Sequence, residues 1–426
     1  MKVSARKLIK HAAEVLGMTE ADLLGAKEVQ PARDFIDDYW KKLTCYHPKD
    51  DKTLVGLPYP YLVPSVEGAD HFSFNEMYYW DSYFMVQGML DEEHADFVKG
   101  VLENLLTLMQ RFHIVPNASR TYFTGRSQPP FLTTMIMEVY KLRPDKVWLE
   151  KAIAIAKEEY DQVWTGTHQP NWRQVYRGLS RYYDVNALHD LAEAESGWDM
   201  TTRFGRKALN YVPVDLNALL YKYEVDFAEA SRILGNETMA KEWQTKAEKR
   251  KHTMDRLMWS NAFGVYFDYN YAKERRGTVI SLATYYPMWA GMVSRKQAKK
   301  LVKSLKKFEE RGGLTATSVQ QISQFVPGTT PVQWAHPNGW APLHFIVVEA
   351  LKRYGYDDDA ERIARKWLKA NLDWFNKHGQ FLEKYNVVNP DKKPTAGVYP
   401  SQIGFGWTNA VFERFCQDYI DDRDIV

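Results

Sequence analysis

Several features that mark particular classes of protein are scarce in this sequence of 426 residues. It has two cysteines, Cys45 and Cys416, too few for a disulfide framework and without the Cys/His spacing of a metal site. We expect both thiols to be reduced. No run of 18 apolar residues is present, so no membrane-spanning helix is predicted. Lys and Arg total 56 against 54 Asp and Glu, and this near-neutral balance predicts no nucleic-acid partner.

Cofactor motifs are also scarce. HExxH is absent, the 11 histidines are scattered, and Gly404-Phe405-Gly406 lacks the strand and spacing of a phosphate-binding loop. His113, His189 and His344 fall in helical patterns, where packed or surface positions are expected. The sequence therefore predicts no metal and no cofactor.

The N-terminus carries no clear targeting signal. Residues 1–17 alternate charged and apolar residues, which predicts an amphipathic helix and lacks the apolar core of a signal peptide. We therefore expect a cytoplasmic protein. The oligomeric state is left open.

What the sequence does have is helical periodicity. Apolar residues recur at helical spacing and predict a chain of helices. The clearest segments are Lys99–Phe112, Val147–Trp164, Pro213–Leu234, Met239–Trp259, Ser294–Phe308, Ala341–Tyr354 and Asp358–Phe375. Strand-like alternation is limited to Val265–Tyr269 and Thr121–Phe123. No linker divides the chain, so we predict one domain of about a dozen helices, over residues 56–426, preceded by a helical arm over residues 1–55.

Aromatic residues are the other abundant class, at 14% of the chain with 14 Trp and 26 Tyr. They either pack in the core or stack on sugar rings. Five loop-like regions place them beside amide and charged residues, a mixture that suits a neutral polyhydroxylated ligand. These regions are residues 74–83, 116–131, 195–203, 333–342, and 383–385 together with 402–409.

Acidic residues in these regions are candidates for glycoside chemistry, which needs two carboxyl groups, one of them protonated. Asp199 lies between Trp198 and Met200, a setting that would raise the pKa of its carboxyl, and Glu383 follows an apolar pair. The alternative for Asp199 is the N-cap of a helix, a commoner role for an acidic residue. Asp81, Glu195 and Glu76 are interpreted as ligands or hydrogen-bond acceptors. Arg126 and Arg203 are candidates to make two-pronged hydrogen bonds to sugar hydroxyls or to a carboxylate. The alternative for Arg203 is an ion pair with Asp199, four residues earlier on one helix.

These regions resemble the trehalase family of inverting glycoside hydrolases. The matching blocks are FxExYYWDSY, RSQPPF, ESGWDxxxR, VPVDLNALLY, EKY and GFGWTN, in family order from about Pro58 to Phe412. The resemblance implies a single (α/α)6 toroid, with Asp199 as general acid and Glu383 as general base. It also places Trp80, Asp81, Asn117, Arg126, Ser127, Gln128 and Gly197 at sugar-binding positions.

The chain departs from the family at four places, one of which is a shorter loop between Arg181-Tyr182-Tyr183 and Glu195. Ser73 stands where the family has arginine, and Ala335, followed by His336, stands where it has aspartate. Val398 lies in a segment, residues 395–399, where the family has a glycine-rich run ending in Glu-Tyr. These changes fall on groups that hold the second glucose. The compact length is shared with the bacterial glycosylglycerate hydrolases.

The function predicted from the sequence is therefore an inverting, exo-acting hydrolase of a small α-glucoside, with trehalose as first candidate. A glucosylglycerate or mannosylglycerate hydrolase is the alternative, and it requires a cation such as Arg126, Arg177, Arg181 or His336 to meet the carboxylate. A catalytically silent sugar-binding protein is a third possibility. The residues predicted to bind substrate are Phe74, Tyr79, Trp80, Asp81, Asn117, Arg126, Ser127, Gln128, Gly197, Trp198, Arg203, Trp334, His336, Gln402 and Trp407.

Overall fold

The computed structural model describes residues 24–66, 74–167, 169–319, 332–395, 397 and 401–420. Its main helices are α1 (Ala26–Leu43), α2 (Tyr79–Val86), α3 (Ala95–Phe112), α4 (Leu132–Leu142), α5 (Lys146–Glu158), α6 (His189–Glu195), α7 (Val214–Ile233), α8 (Glu237–Leu257), α9 (Tyr286–Trp289), α10 (Arg295–Ser304), α11 (Ala341–Arg353), α12 (Asp357–His378) and α13 (Gly406–Tyr419). A π-helical turn, Glu159–Trp164, extends α5.

The helices form a double ring. In the described part of the chain, α2, α4, α7, α9, α11 and α13 pack against one another as the inner ring, and α1, α3, α5, α8, α10 and α12 cover them outside. Each inner helix is followed in sequence by an outer one, except that the last inner helix, α13, is covered by α1 from the start of the chain. This is an (α/α)6 toroid, which confirms what the resemblance to the trehalase family implied.

Local sequence explains where these helices begin and end. Asp145 accepts hydrogen bonds from the backbone of Val147 and Trp148 at the start of α5, and Ser294 forms a capping box with Gln297 at the start of α10. Pro342 lies in the first turn of α11, where its missing N–H costs nothing. The predicted helical segments are confirmed with shifts of a few residues at their ends.

Helix α1 is part of the common core. Its buried side chains Val29, Ile36 and Leu43 belong to the same apolar cluster as the inner ring, and burial of each contributes about 1.5–3 kcal/mol. Arg33 adds a two-pronged ion pair to Glu413 of α13. The N-terminal half of the predicted arm, including the amphipathic segment 1–17, lies outside the described residues. The domain division at residue 55 stays a prediction.

The strands are short and are carried on the loops. Their bounds are β1 (Thr44–Cys45), β2 (Tyr61–Leu62), β3 (Gln174–Tyr176), β4 (Leu179–Ser180), β5 (Tyr211–Val212), β6 (Trp259–Ser260), β7 (Val265–Tyr266), β8 (Tyr269–Asn270), β9 (Arg275–Arg276), β10 (Glu309–Glu310), β11 (Gly313–Leu314), β12 (Asn338–Trp340) and β13 (Lys384–Asn386). They pair as the antiparallel ribbons β1–β2, β3–β4, β5–β8–β9, β6–β7, β10–β11 and β12–β13.

The two segments with strand-like alternation have different outcomes. The segment Val265–Tyr269 contains β7 and the first residue of β8. The prediction for Thr121–Phe123 is wrong, because these residues form a 3-10 turn closed by the hydrogen bond from Thr124 N to Thr121 O. Cys45 and Cys416 are both in the thiol form, as expected. None of the described helices is long and apolar enough to cross a bilayer.

Candidate active site

A cavity of about 450 Å³ lies at the end of the toroid where the inner helices begin. Seven aromatic rings and three carboxyl groups form much of its wall. Because these side chains come from loops and helix ends far apart in sequence, the fold itself assembles the site. The lining residues are Pro64, Phe74, Tyr78, Trp80, Asp81, Asn117, Phe123, Arg126, Gln128, Ala194, Gly197, Asp199, Trp334, Glu383, Gln402, Phe405 and Trp407.

The aromatic wall is built around Trp80 and Trp334. Trp80 lies in the first turn of α2, and its ring centroid is 5.7 Å from that of Trp334. Trp334 stacks at 3.7 Å on Trp340, the last residue of β12. Gly197 has a φ of +73°, and a Cβ at this position would lie 2.5 Å from the Trp80 ring. Only glycine lets the loop that carries Asp199 approach the indole so closely.

Asp199 lies on the loop that follows α6, and its carboxyl group faces the cavity. No helix begins here, so the helix-cap interpretation is wrong. The loop is fixed from the facing segment, because Gln333 Nε2 donates to Asp199 O at 2.6 Å and Trp334 N donates to Met200 O at 3.0 Å. Burial, reinforced by the charge of Glu383, raises the pKa of Asp199 to about 7. The group is therefore protonated below that pH, as a general acid must be.

Glu383 immediately precedes β13 and is buried. Its Oε2 accepts a hydrogen bond from Lys384 Nζ at 2.7 Å, which gives the carboxylate a cationic partner. Its backbone is held on both sides, since Glu383 N donates to Gln402 O and Trp407 Nε1 donates to Glu383 O, both at 3.0 Å. Glu383 is thus held in one place beside a buried ammonium group, whereas burial raises the pKa of Asp199.

Asp81 is the third carboxyl group of the cavity. Burial raises its pKa to about 8, with further contributions from the charges of Asp199 and Glu383. It lies in the first turn of α2, beside Gln128, whose Oε1 accepts a hydrogen bond from Trp80 N at 3.0 Å. A neutral carboxyl group can both donate to and accept from a hydroxyl, which suits recognition of a sugar.

Arg126 is the only cationic side chain in this lining, among the residues that the structure describes. Its Nη1 lies 3.3 Å from Oδ2 of the buried Asp184, and its guanidinium lies over the Phe123 ring, 5.0 Å from the centroid. Arg126 therefore already has an acidic partner before any ligand binds.

The structure brings most of the predicted site residues into one cavity. Both predicted catalytic carboxyls line it, as do ten of the predicted binding residues: Phe74, Trp80, Asp81, Asn117, Arg126, Gln128, Gly197, Trp334, Gln402 and Trp407.

Five predicted residues lie elsewhere. Tyr79 donates its hydroxyl to Glu159, and the Ser127 hydroxyl donates to Val115 O. Trp198 stacks behind Trp334 at 5.5 Å. The side chain of His336 is not part of the lining.

The fifth of them, Arg203, does not reach the cavity or pair with Asp199. It is fully buried and makes forked hydrogen bonds to Asp215 and Asp268, at 2.6–3.0 Å. Both carboxylates come from other elements, so spacing along the chain gave no signal for this pairing. The network anchors the start of α7 to the loop that follows Asp199.

Five lining residues were missed in the sequence: Pro64, Tyr78, Phe123, Ala194 and Phe405. Tyr78 and Phe405 lie inside motifs already singled out, next to residues that were chosen. Phe123 belongs to the segment whose alternation predicted a strand. Pro64 and Ala194 carry no chemical signal, and only the tertiary structure places them at the cavity.

The sequence is similar to those of known proteins. The family model for trehalase matches residues 24–193 and 170–419. The chain belongs to the trehalase family. Cytosolic neutral trehalase of Beauveria bassiana is 33% identical over 446 residues, and that of Kluyveromyces lactis is 32% identical over 437. Each match covers 85% of this chain but only 58% and 56% of those two relatives, so the chain spans less than two thirds of their length.

Solved structures of the trehalase family and beyond share the toroid. Neutral trehalase Nth1 from Saccharomyces cerevisiae matches with a TM-score of 0.74 and 29% identity, over 86% of this chain and 75% of that one. A GH63 mannosylglycerate hydrolase from Thermus thermophilus, in complex with Tris and D-glycerate, matches with a TM-score of 0.65, over 90% of this chain and 100% of that one. At 16% identity the second likeness concerns the fold alone.

The departures from the trehalase family fall partly outside the described structure. Ser73 and Val398 lie outside the described residues. Ala335 is buried next to Trp334, where its carbonyl accepts a hydrogen bond from Asn338 N at 2.9 Å. Its methyl group offers no hydrogen bond to a ligand, unlike the family's aspartate.

Proposed function

We propose that this protein is an inverting glycoside hydrolase that cleaves trehalose into two molecules of glucose. One observation carries the proposal: a single aromatic cavity holds two buried carboxyl groups in different surroundings, Asp199, whose pKa burial raises to about 7, and Glu383, which is hydrogen-bonded to the ammonium group of Lys384. An inverting glycosidase needs one acid and one base of this kind. The trehalase-family membership supports the choice of sugar.

In this mechanism Asp199 donates its proton to the glycosidic oxygen as the bond from that oxygen to the anomeric carbon breaks. Glu383 removes a proton from a water molecule, whose oxygen attacks the opposite face of the same carbon. The new bond inverts the configuration, so one glucose is released as the β-anomer and the other as the α-anomer. The aromatic wall stacks on the sugar and limits access of bulk water.

The residues around the pair divide into two groups in this proposal. Ten of them, from Phe74 to Trp407, contact the sugar from the cavity wall. Tyr79, Ser127, Trp198 and Arg203 act from behind that wall, through the buried contacts described above. We also extend to this chain the cytosolic location that the two named relatives have.

The charges of the cavity favour a neutral sugar over a glycerate-bearing one. Of the four cations that were candidates to meet a carboxylate, Arg126 is paired with Asp184. Arg181 donates to Leu209 O and the Tyr271 hydroxyl, Arg177 lines a separate surface pocket, and His336 does not line the cavity. An anionic aglycone would therefore meet carboxyl groups without a free positive charge among the described residues.

The test is a proton NMR time course with the purified protein and, in parallel, trehalose, glucosylglycerate and mannosylglycerate. We expect β-glucose to appear from trehalose before mutarotation. If only a glycerate substrate gives product, the aglycone is glycerate rather than a second glucose, and the protein is a glycosylglycerate hydrolase. Binding of sugar without product would identify a silent sugar-binding protein and overturn the proposal.

A further inference from the structure

Lys384 is a fully buried cation directly after the proposed base. Its Nζ lies 2.7 Å from Oε2 of Glu383, and the exposed fractions of the two side chains are 0% and 1%. Lysine is almost never buried to this extent unless it is paired, because removing an ammonium group from water is costly. A buried pair of this kind needs a reason beyond general stability.

The surroundings hold the ammonium group in a defined place. Lys384 is the first residue of β13 and lies opposite Trp340 in the antiparallel pair with β12. Its Nζ lies 5.0 Å from the centroid of the Trp340 ring. Trp340 in turn stacks on Trp334 of the cavity wall. The ammonium thus lies between a carboxylate and an aromatic face, the two groups that attract it most strongly.

Lys384 does not line the cavity, so it does not contact the substrate, and it donates a hydrogen bond to Glu383. The other titratable and charged groups around Glu383 are few in the described structure. Asp81 and Asp199 face it across the cavity, and Arg126 is paired with Asp184. On α11, the ring of His344 is fully buried, and burial lowers its pKa to about 3, so it contributes no positive charge.

We propose that Lys384 is a positioning residue that keeps Glu383 charged and fixed, so that the two catalytic carboxyls hold opposite protonation states. The inference rests on the proposed function. Without the ammonium, a charged Glu383 would lie buried beside two further carboxyl groups. Protons would then be shared among the three, and the base would be lost at neutral pH. The positive charge of Lys384 also lowers the pKa of Asp199, against the larger effect of burial.

The experiment compares Lys384→Met, which keeps the length and removes the charge, with Lys384→Arg, which keeps the charge. For Lys384→Met we expect kcat on trehalose at about pH 6 to fall by about a hundredfold. The acidic limb of the pH profile should move up by about one to three pH units, so that activity partly returns at alkaline pH. KM should change little. Lys384→Arg should keep the acidic limb of the wild type.

The matched control is Lys222→Met, which removes a lysine that is paired with Asp226 on α7 and lines a different cavity. It should leave the pH profile unchanged. A uniform loss of kcat in Lys384→Met without any shift of the acidic limb would indicate a merely structural role and overturn the proposal. If Lys384→Met does not fold, as judged by circular dichroism, Lys384→Gln provides the uncharged side chain for the same comparison.

A second readout needs no substrate. In protein labelled with ¹³C at the glutamate carboxyl carbons, the Glu383 signal is assigned by its loss in Glu383→Gln. We expect it to titrate at higher pH in Lys384→Met than in the wild type. If the wild type cleaves none of the sugars, the proposed function fails, and this titration decides the inference alone: a moved signal supports it and an unmoved signal overturns it.

Discussion

Two cavities lie at opposite ends of the same ring of helices. Acidic side chains outnumber basic ones in the lining of the first, and basic side chains outnumber acidic ones in the lining of the second. The candidate active site, at the end where α2 and α13 begin, has three carboxyl groups and one paired arginine. The second cavity, of about 590 Å³, lies toward the ends of α4 and α11. Its charged lining residues are Glu138, Lys141, Lys222, Glu349, Lys352, Arg353 and Arg414.

Helix direction explains part of this contrast. The N-terminal end of a helix carries a partial positive charge and favours acidic side chains, whereas the C-terminal end favours basic ones. Asp81 lies in the first turn of α2, and Lys352 and Arg353 lie in the last turn of α11. Because the inner helices point the same way, these preferences add up at each end of the toroid.

A layer of aromatic rings separates the two cavities. Trp80, in the wall of the first, packs edge-on against Phe84 at 5.5 Å. Phe84 contacts Phe131 and Phe345, and Phe345 lines the second cavity. A solid core therefore fills the centre of the ring, and each cavity has its own dielectric surroundings.

The comparison teaches that a raised pKa does not by itself identify a catalytic acid. Burial raises the pKa of Asp199 and that of Glu138 to about 7. Glu138, in the second cavity, accepts a hydrogen bond from Gln87 and feels the positive charges of Lys222 and Arg414. Asp199 faces a second carboxylate across a cavity with stacking surfaces. The partner group, not the burial, distinguishes the two sites.

The largest expected effect tests this distinction directly. Asparagine in place of Asp199 cannot donate the proton, so Asp199→Asn should lower kcat/KM on trehalose by about 10²–10⁴-fold. Glu138→Gln removes an equally buried carboxyl group from the second cavity and should leave the rate nearly unchanged. Initial rates of glucose release from both variants provide the measurement. Equal losses would mean that the two cavities are not functionally different.

The aromatic layer between the cavities is the next target. Phe84→Ala removes a fully buried ring and should lower the free energy of unfolding by about 3–5 kcal/mol. Urea denaturation of the variant and the wild type measures the loss. A change below about 1 kcal/mol would show that the layer collapses around the gap and that the cavities are less separate than described.

Both cavities should make stability depend on pH in the same direction. A buried carboxyl with a raised pKa binds its proton more tightly in the folded state, so its contribution is present below about pH 4 and is lost as pH rises through the folded value. The free energy of unfolding of Glu138→Gln, relative to that of the wild type, should therefore rise by about 1 kcal/mol per pH unit between about pH 4.5 and 7. For Asp81→Asn the same relative free energy of unfolding should rise with a similar slope up to about pH 8.

Denaturant titrations at a series of pH values check these slopes. If the difference in free energy of unfolding between variant and wild type does not change with pH, the carboxyl group has the same pKa in the folded and unfolded chains. Different slopes in the two variants would reveal that the charges of Asp199 and Glu383, which raise the pKa of Asp81, add to the effect of burial.

The smallest expected effect concerns the helix ends. Arg353 is exposed in the last turn of α11, so Arg353→Met should lower the free energy of unfolding by only about 0.3–1 kcal/mol at low salt. Thermal melts at low and high ionic strength provide the measurement. Because salt screens this interaction, the difference from the wild type should shrink at high salt. A loss independent of salt would point to packing rather than charge.

Much of the helical fold was predictable because helix formation is a local property. Periodic apolar residues, the Ser294 cap and Pro342 in a first turn mark helices without knowledge of their partners. The failures are also local in origin. Thr121–Phe123 alternates like a strand, but the local hydrogen bond from Thr124 N to Thr121 O closes a 3-10 turn instead.

The candidate site was predictable where chemistry is visible in the residue type. Carboxyl groups beside indole rings in loop-like regions are typical of sugar-binding sites, and this pattern marks Asp199, Glu383 and Trp80. Arg203 shows the limit of this approach. Its forked contacts to Asp215 and Asp268 join segments 12 and 65 residues apart, which no spacing rule along one helix foresees.

The sequence by itself determined the helical architecture, the family and most of the residues that line the candidate site, because periodicity and motifs are written in neighbouring residues. Only the tertiary structure decided their electrostatic states. Burial of Asp199, the pairing of Glu383 with Lys384 and that of Arg126 with Asp184 depend on which loops meet at the end of the ring. A charge is set by what surrounds it in space, and distant parts of the chain supply those surroundings.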